Sequence, residues 1–286
     1  MSNQAINDVM KKITDSIVAQ LEQVTIDYQK PWFNIRGIPF NPVTKKHYNG
    51  INVLTLSLNC FKTNEYASYK QWQQLKAQVK KGEHGNFIVF YKPLEIDNAE
   101  TGEKDVIPLL RYSMVFNADQ VEGYEPKTIE LNRNDQICVA DDFARACKIP
   151  TEYGHDKACY VPSQDKVKMP VLGQFISSEA YYSVLFHEYS HATGHESRLA
   201  RKLNNCFGDT DYAFEELIAE LGSAFTMAYL SLEQQPRLDH IQYIKSWLKA
   251  LEHNPKFIFK AAARAQDVLN YFIGYTAVKV KTKATC

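Results

Sequence analysis

The pentapeptide His187-Glu188-Tyr189-Ser190-His191 constrains this chain more than any other stretch, because its two histidines share a face only if the segment is helical. On a helix, imidazoles four residues apart stand side by side at a spacing that suits a single Zn2+. Glu188 lies beside them and can take the proton from a water that the ion activates. Tyr182, Val184, Leu185 and Phe186 come just before, and can anchor the remaining sides of the helix in a core. Gly194, three residues beyond the second histidine, gives the helix a place to stop. The five-residue pattern is short enough to arise by chance on a helix surface, so its meaning rests on what else the chain supplies.

A catalytic zinc takes three protein ligands and keeps a fourth position for water. A second helical segment, with Glu215, Glu216 and Glu220 inside an apolar pattern that reaches Leu230, offers the third. Glu216 and Glu220 are four apart on one face, so one can bind the ion while the other orients a ligand histidine. Glu216 is assigned as the ligand and Glu220 as the orienting carboxylate. Glu215 points about 100° away around the helix and is expected in solvent. Leu217, Ile218, Leu221 and Phe225 mark the helix as largely buried, where a carboxylate needs a partner. His195, four residues after His191, stands as an alternative third ligand, although its neighbours Gly194, Glu196 and Ser197 read as a helix end. Tyr153, Tyr160, Tyr181 and Tyr212 are candidates to stabilise an oxyanion, and residues 166–169 read as an edge strand for an extended peptide. A metal-dependent nuclease would call for a carboxylate cluster, and none is apparent.

Around this site the pattern is that of a folded chain with two halves. At 286 residues the chain can bury a substantial core as one large or two smaller domains. No apolar run approaches the roughly 20 residues that cross a bilayer, and the first 21 residues lack a secretory signal, so a cytoplasmic protein is expected. The six cysteines form no CxxC pair and read as free thiols. Residues 5–29 carry a helical stripe that ends at Pro31. Residues 51–58 fit a strand or a buried helix, and periodicity leaves both open. A helix is expected over 69–79, strands over 87–91 and 111–116, and a polar boundary near 130. Beyond it come a short helix at 139–147 and longer ones over 179–195, 211–231, 238–252 and 256–272. The fold class is α+β, with a small mixed domain over 1–130 and a mainly helical domain over 131–286.

The 33 Lys and Arg balance the 33 Asp and Glu, yet the charges are segregated. Residues 30–92 hold ten Lys or Arg against two acidic residues, and residues 93–130 hold three against nine. In the basic stretch Trp32, Phe33, Arg36, Lys45, Lys46, Tyr48, Trp72, Lys80 and Lys81 alternate cations with rings. That composition suits single-stranded nucleic acid, with bases stacked on rings and lysines on phosphates. It equally suits a small domain with an aromatic core and a solvated lysine surface, and both readings stand. Lys45, Lys46 and His47 lie in an exposed turn and are the first contact candidates, with Tyr48, Trp72, Lys80 and Lys81 behind them.

Taken together, the blocks resemble the ArdC-type antirestriction proteins and the N-terminal regions of plasmid TraC-like primases. The resemblance covers nearly the whole chain. It rests on Pro31-Trp32, GIPFNPVTKKHYNGIN over 37–52, Trp72, KKGEHG over 80–85, VFYK over 89–92, and Val115 to Ala118 with Gln120. In the second half it rests on YYSVLFHEYSHATGHESRL over 181–199, residues 215–221, Trp247 and Ala265-Gln266. It implies an N-terminal single-stranded-DNA-binding domain and a C-terminal zincin-like metallopeptidase domain, which protect plasmid DNA from host restriction during conjugation. By the same resemblance, His187, Glu188, His191 and a glutamate of the Glu216/Glu220 pair form a site for one Zn2+ per chain. The expected partners are single-stranded DNA and a host restriction or DNA-associated protein as peptidase target. The resemblance leaves a second reading in place, in which DNA binding alone protects and the zinc site is structural or vestigial.

Overall fold

The computed structural model describes residues 3–26, 37–59, 61–97, 104–126, 133–201, 210–232, 247–248, 251 and 256–283. The N-terminal stripe forms helix α1 (Asn3–Ile26), which buries Val9, Ile13 and Ile17, and the expected stop at Pro31 lies outside the described residues. Strands β1 (Phe40–Asn41) and β2 (Lys46–His47) make a small hairpin. Asn41 shapes its turn, its Oδ1 accepting the N–H groups of Val43 at 2.9 Å and Thr44 at 3.0 Å.

Residues 51–58 resolve as a helix, α2 (Ile51–Ser57), with Ile51, Val53, Leu54 and Leu56 buried. Gly50 precedes it at φ +56°, and its N–H donates to Oε1 of Gln266, more than two hundred residues away, at 3.0 Å. After β3 (Tyr66–Ala67) comes α3 (Tyr69–Gln74), which is shorter than expected. Lys76 takes up left-handed backbone at φ +59°, and Ala77 N–H turns back to the carbonyl of Trp72 at 2.9 Å, so the chain enters β4 (Gln78–Val79). The two expected strands form a ladder, β5 (Asn86–Asp97) against β6 (Lys104–Asn117), that continues into the polar stretch as far as Asp97 and Lys104. They lie in the order β3-β6-β5, and β7 (Val121–Glu122) pairs with β4. At the open edge of β5 the side chain of Asn52 acts as a partner to Val89, donating to its carbonyl at 2.7 Å and accepting its N–H at 2.8 Å.

The second half contains α4 (Arg133–Ala146), β8 (Thr151–Tyr153), β9 (Cys159–Val161), β10 (Lys166–Met169), α5 (Ser178–Ala192), α6 (Thr210–Tyr229) and a long terminal helix α7 (Lys256–Lys283). The helix expected over 238–252 lies largely outside the described residues. β10 is not the expected edge strand. It runs between β8, to which it is parallel, and β9, to which it is antiparallel, with Val167 and Met169 buried. Two flanking segments therefore use up both of its hydrogen-bonding edges, and both β9 and β10 adjoin α5.

The two halves form an α+β arrangement joined by a shared interior. Val9, Ile13 and Ile17 of α1 and Val53 and Leu54 of α2 belong to the same buried cluster as Phe186, Leu217, Phe225 and Phe272. The boundary placed near 130 falls within residues 127–132, which are not among those described. Cys138, Cys147 and Cys159 are free thiols, as expected, and Cys60, Cys206 and Cys286 lie outside the described residues. No helix among the described residues is long and apolar enough to cross a membrane.

Candidate metal centre

The site is made where α5 and α6 cross. Ser177 starts α5 by accepting the N–H of Ala180 at 3.1 Å, and the helix buries Leu185, Phe186 and Tyr189 on its core side. On α6 every residue from 215 to 228 is buried. The two helices approach so closely at Gly222 that a Cβ there would lie 2.7 Å from Ser190 Oγ. Ser223 Oγ adds a bond across the crossing to the carbonyl of Ser183 at 2.8 Å. This close contact carries the carboxylates of α6 to the histidines of α5.

His187 Nε2 and His191 Nε2 face each other at 3.1 Å, and Glu216 stands 3.6 Å from each through its two carboxylate oxygens. Nitrogen and carboxylate donors bonded tetrahedrally to one ion at about 2.1 Å lie about 3.4 Å apart, so the edges of this triangle fit a bound divalent cation. His187, His191 and Glu216 are the metal-competent group found among the described residues. Burial pushes the Glu216 carboxyl up, but the hydrogen bond to His187, the charges of both histidines and a hydrogen bond from Tyr212 bring it down to about 2. Glu216 is thus an anion at neutral pH, as a ligand must be.

Glu220 places its Oε2 3.5 Å from His187 Nδ1. Glu188 is buried next to the triangle without belonging to it, and its Oε2 accepts the backbone N–H of Tyr160 in β9 at 2.8 Å. His195 turns elsewhere, toward Ser197 Oγ at 2.8 Å and Asp165 at 3.8 Å, and is not a third ligand. Of the four tyrosines considered, Tyr160 gives its hydroxyl to Asp165 at 2.8 Å, Tyr153 is exposed on β8, and Tyr181 is buried. Tyr212, one turn before Glu216, is the one whose hydroxyl meets a member of the triangle.

Glu215 contradicts expectation. It is 8% exposed, its Oε1 lies 3.4 Å from His191 Nδ1, and Arg201 grips it at 2.7 and 2.9 Å. Arg201 and His191 hold its carboxyl below the ordinary range even though burial works the other way. No solvated face exists on α6 at this level, so the carboxylate stays inside and finds a cation. The sequence held one clue, two arginines three apart just after a helix end, where cations suit the terminal carbonyls.

The N-terminal candidates are scattered by comparison. Lys45, Lys46 and His47 are exposed on the β1–β2 turn, with Lys45 at φ +58°, and Lys81 is exposed beyond β4. Lys80 is exposed too, but its Nζ donates to the carbonyl of Asp119 at 2.8 Å. Tyr48 is partly buried, with its hydroxyl bonded to the carbonyl of Tyr66 at 3.0 Å, so it fixes the turn rather than reaching outward. Trp72 must be withdrawn as a stacking residue. It is 0% exposed, its indole N–H donates to the carbonyl of Phe116 at 3.0 Å, and Tyr124 packs edge-on against it. Trp32, Phe33 and Arg36 lie outside the described residues.

The profile of a zincin-like metallopeptidase domain matches residues 139–264, over both helices of this site. The profile of the N-terminal domain of anti-restriction factor ArdC matches residues 7–116. Antirestriction protein ArdC of plasmid R388, solved in a metal-free form, shares the fold with a TM-score of 0.77 and 35% identity, covering 94% of this chain and 98% of its own. The chain belongs to the ArdC family of antirestriction proteins. The Mn(II)-bound form of the R388 ArdC is similar at a TM-score of 0.74 and 33% identity, again covering 94% of this chain and 98% of that one. The uncharacterized protein y4eC of Sinorhizobium fredii is 37% identical over 283 residues, 94% of this chain and 92% of its length. DNA primase TraC of Escherichia coli is 34% identical over 301 residues, which take in 96% of this chain but 28% of the primase. Within the ArdC family, then, a solved relative takes a divalent metal, and this chain presents a donor set that fits one.

Proposed function

We propose that this ArdC-family chain binds single-stranded DNA and protects plasmid DNA from host restriction during conjugation, in the cytoplasm, with a zinc-dependent peptidase site as its catalytic centre. The observation that carries the reading is the triangle of His187, His191 and Glu216, with Glu188 held beside it as a non-ligand. A metal site that only stiffened the fold would need the three ligands and no buried carboxylate next to one of them in the chain, hydrogen-bonded to β9. Two imidazoles and a carboxylate near tetrahedral spacing favour Zn2+ over a larger oxygen-loving ion.

When bound, the ion acidifies water and polarises a carbonyl. Glu188, fixed by the Tyr160 N–H, takes the proton and passes it to the leaving amine. The Tyr212 hydroxyl, which donates to Glu216, would have to turn from that carboxylate to the substrate's carbonyl oxygen as negative charge grows there. The substrate would be a host restriction or DNA-associated protein, and the exposed Lys45, Lys46 and His47, with Lys80 and Lys81, would hold the DNA phosphates.

Two measurements test this. Protein purified without chelator should carry about one zinc per chain, and a content far below that removes the metal reading. The Glu188→Gln variant should keep zinc and DNA binding but lose protection of conjugated DNA. Full protection by that variant would mean that binding alone does the work.

A further inference from the structure

The nine residues that follow α5 wind into a compact turn, with Gly194 N–H bonded to the carbonyl of His191 at 2.8 Å, Leu199 N–H to that of Thr193 at 2.9 Å, and Arg201 N–H to that of Gly194 at 2.9 Å. Two arginines leave this turn, and each ties the end of α5 to a different neighbour. Arg198 donates to the carbonyl of Ala192 at 2.9 Å, and its fork takes both oxygens of Asp165 at 2.7 and 2.8 Å. Arg201 donates to the carbonyl of Ser190 at 2.7 Å and to Thr193 Oγ1 at 2.9 Å, and its fork takes both oxygens of Glu215.

Each clamp leads inward to a different region of the site. Asp165 also accepts the Tyr160 hydroxyl at 2.8 Å, and the N–H of that same Tyr160 is the group bonded to Glu188. Glu215, in turn, faces Nδ1 of the ligand His191. We propose that Arg198 and Arg201 are separate positioning residues of the metal centre: Arg198 sets the base Glu188 through Asp165 and β9, and Arg201 sets the ligand His191 through Glu215.

The chemistry supports a division of labour. Glu215 accepting from Nδ1–H fixes the tautomer of His191 that leaves the Nε2 lone pair toward the other ligands. The side chains of Arg201 and Glu215 are 9% and 10% exposed, so the carboxylate would be costly to keep in place without the guanidinium. Glu220 takes the corresponding place at Nδ1 of His187, at 3.5 Å. A planar fork with both prongs occupied also fixes direction, which a lysine ammonium does not.

The inference rests on His187, His191 and Glu216 being the ligand set, and the test separates the two. In the full chain, Arg198→Lys and Arg201→Lys are compared with wild type for Zn2+ affinity, by competition with a chromophoric chelator, and for hydrogen exchange of the Tyr160 amide. Arg201→Lys should weaken Zn2+ by about 10- to 100-fold, the usual effect of losing an outer partner of a metal-bound histidine, and leave Tyr160 protected. Arg198→Lys should speed Tyr160 exchange by about tenfold and leave Zn2+ affinity within about twofold of wild type. Should either lysine variant fail to unfold cooperatively, Glu215→Gln and Asp165→Asn replace them with the same split expected. Equal losses of Zn2+ affinity in both, or no change in either readout, would overturn the proposal. A wild-type chain that binds no Zn2+ overturns the ligand set and the Arg201 half together, while Tyr160 exchange still decides the Arg198 half.

Discussion

The metal centre and the basic β1–β2 turn answer to different physics. At the crossing of α5 and α6 the groups that matter are buried, or half-buried for His191, and His187, Glu188, His191, Glu215 and Glu220 each face a specific partner. On the turn, Lys45 and Lys46 are exposed cations with His47 exposed beside them, and the described residues supply no ion pair to them. A buried site depends on geometry and responds steeply to the loss of one atom. An exposed one depends on charge density, responds gradually, and is screened by salt.

The sharpest contrast should come from Glu188→Gln, which is expected to cut peptide hydrolysis by about a thousandfold while leaving bound metal and DNA affinity in place. A residual rate within tenfold of wild type would remove Glu188 as the base. Next in size, Glu216→Ala or His191→Ala should weaken Zn2+ by more than the roughly 100-fold ceiling seen for outer partners. Isothermal titration would show it, and a wild-type affinity in either variant would point to another ligand. Gly222→Ala forces a methyl against Ser190 where the helices touch, and overpacking of this kind costs about 1–3 kcal/mol. Thermal unfolding should record that loss together with weaker metal binding, since the carboxylates of α6 retreat from α5. The smallest effect belongs to the turn. Lys45→Ala with Lys46→Ala should lower single-stranded-DNA affinity about tenfold near physiological salt, and flatten the log–log salt dependence by about 1.4. An unchanged slope would move the DNA to another face, and any salt dependence of Zn2+ affinity as steep as that would blur the contrast itself.

What could be read in advance follows the same division. The histidine pair was legible because both residues and the helix that aligns them lie within five positions. Glu216 and Glu220 were legible by the same local rule. Glu215 was misjudged because an angle on a helical wheel says nothing about a helix buried on every side, where the partner comes from a loop. Trp72 was misjudged because composition cannot tell a ring that stacks on a ligand from one that closes an interior. The central place of β10 depended on which segments pair with it, and four residues of alternation carry no such information. Residues 51–58, left open between strand and helix, were settled by the core they enter and by a neighbour as remote as Gln266.

That last contact has a bearing on how such chains are inherited. Gly50, two residues past Tyr48 at the end of the basic turn, is anchored on α7, and α1 and α2 fill the same interior as the helices of the metal site. A recombination joint near residue 130 would therefore split a single interior instead of falling between independent modules. The TraC primase of Escherichia coli matches this chain across both halves, within a much longer protein. An interior that neither half completes alone gives a physical reason for the two halves to occur together in both proteins.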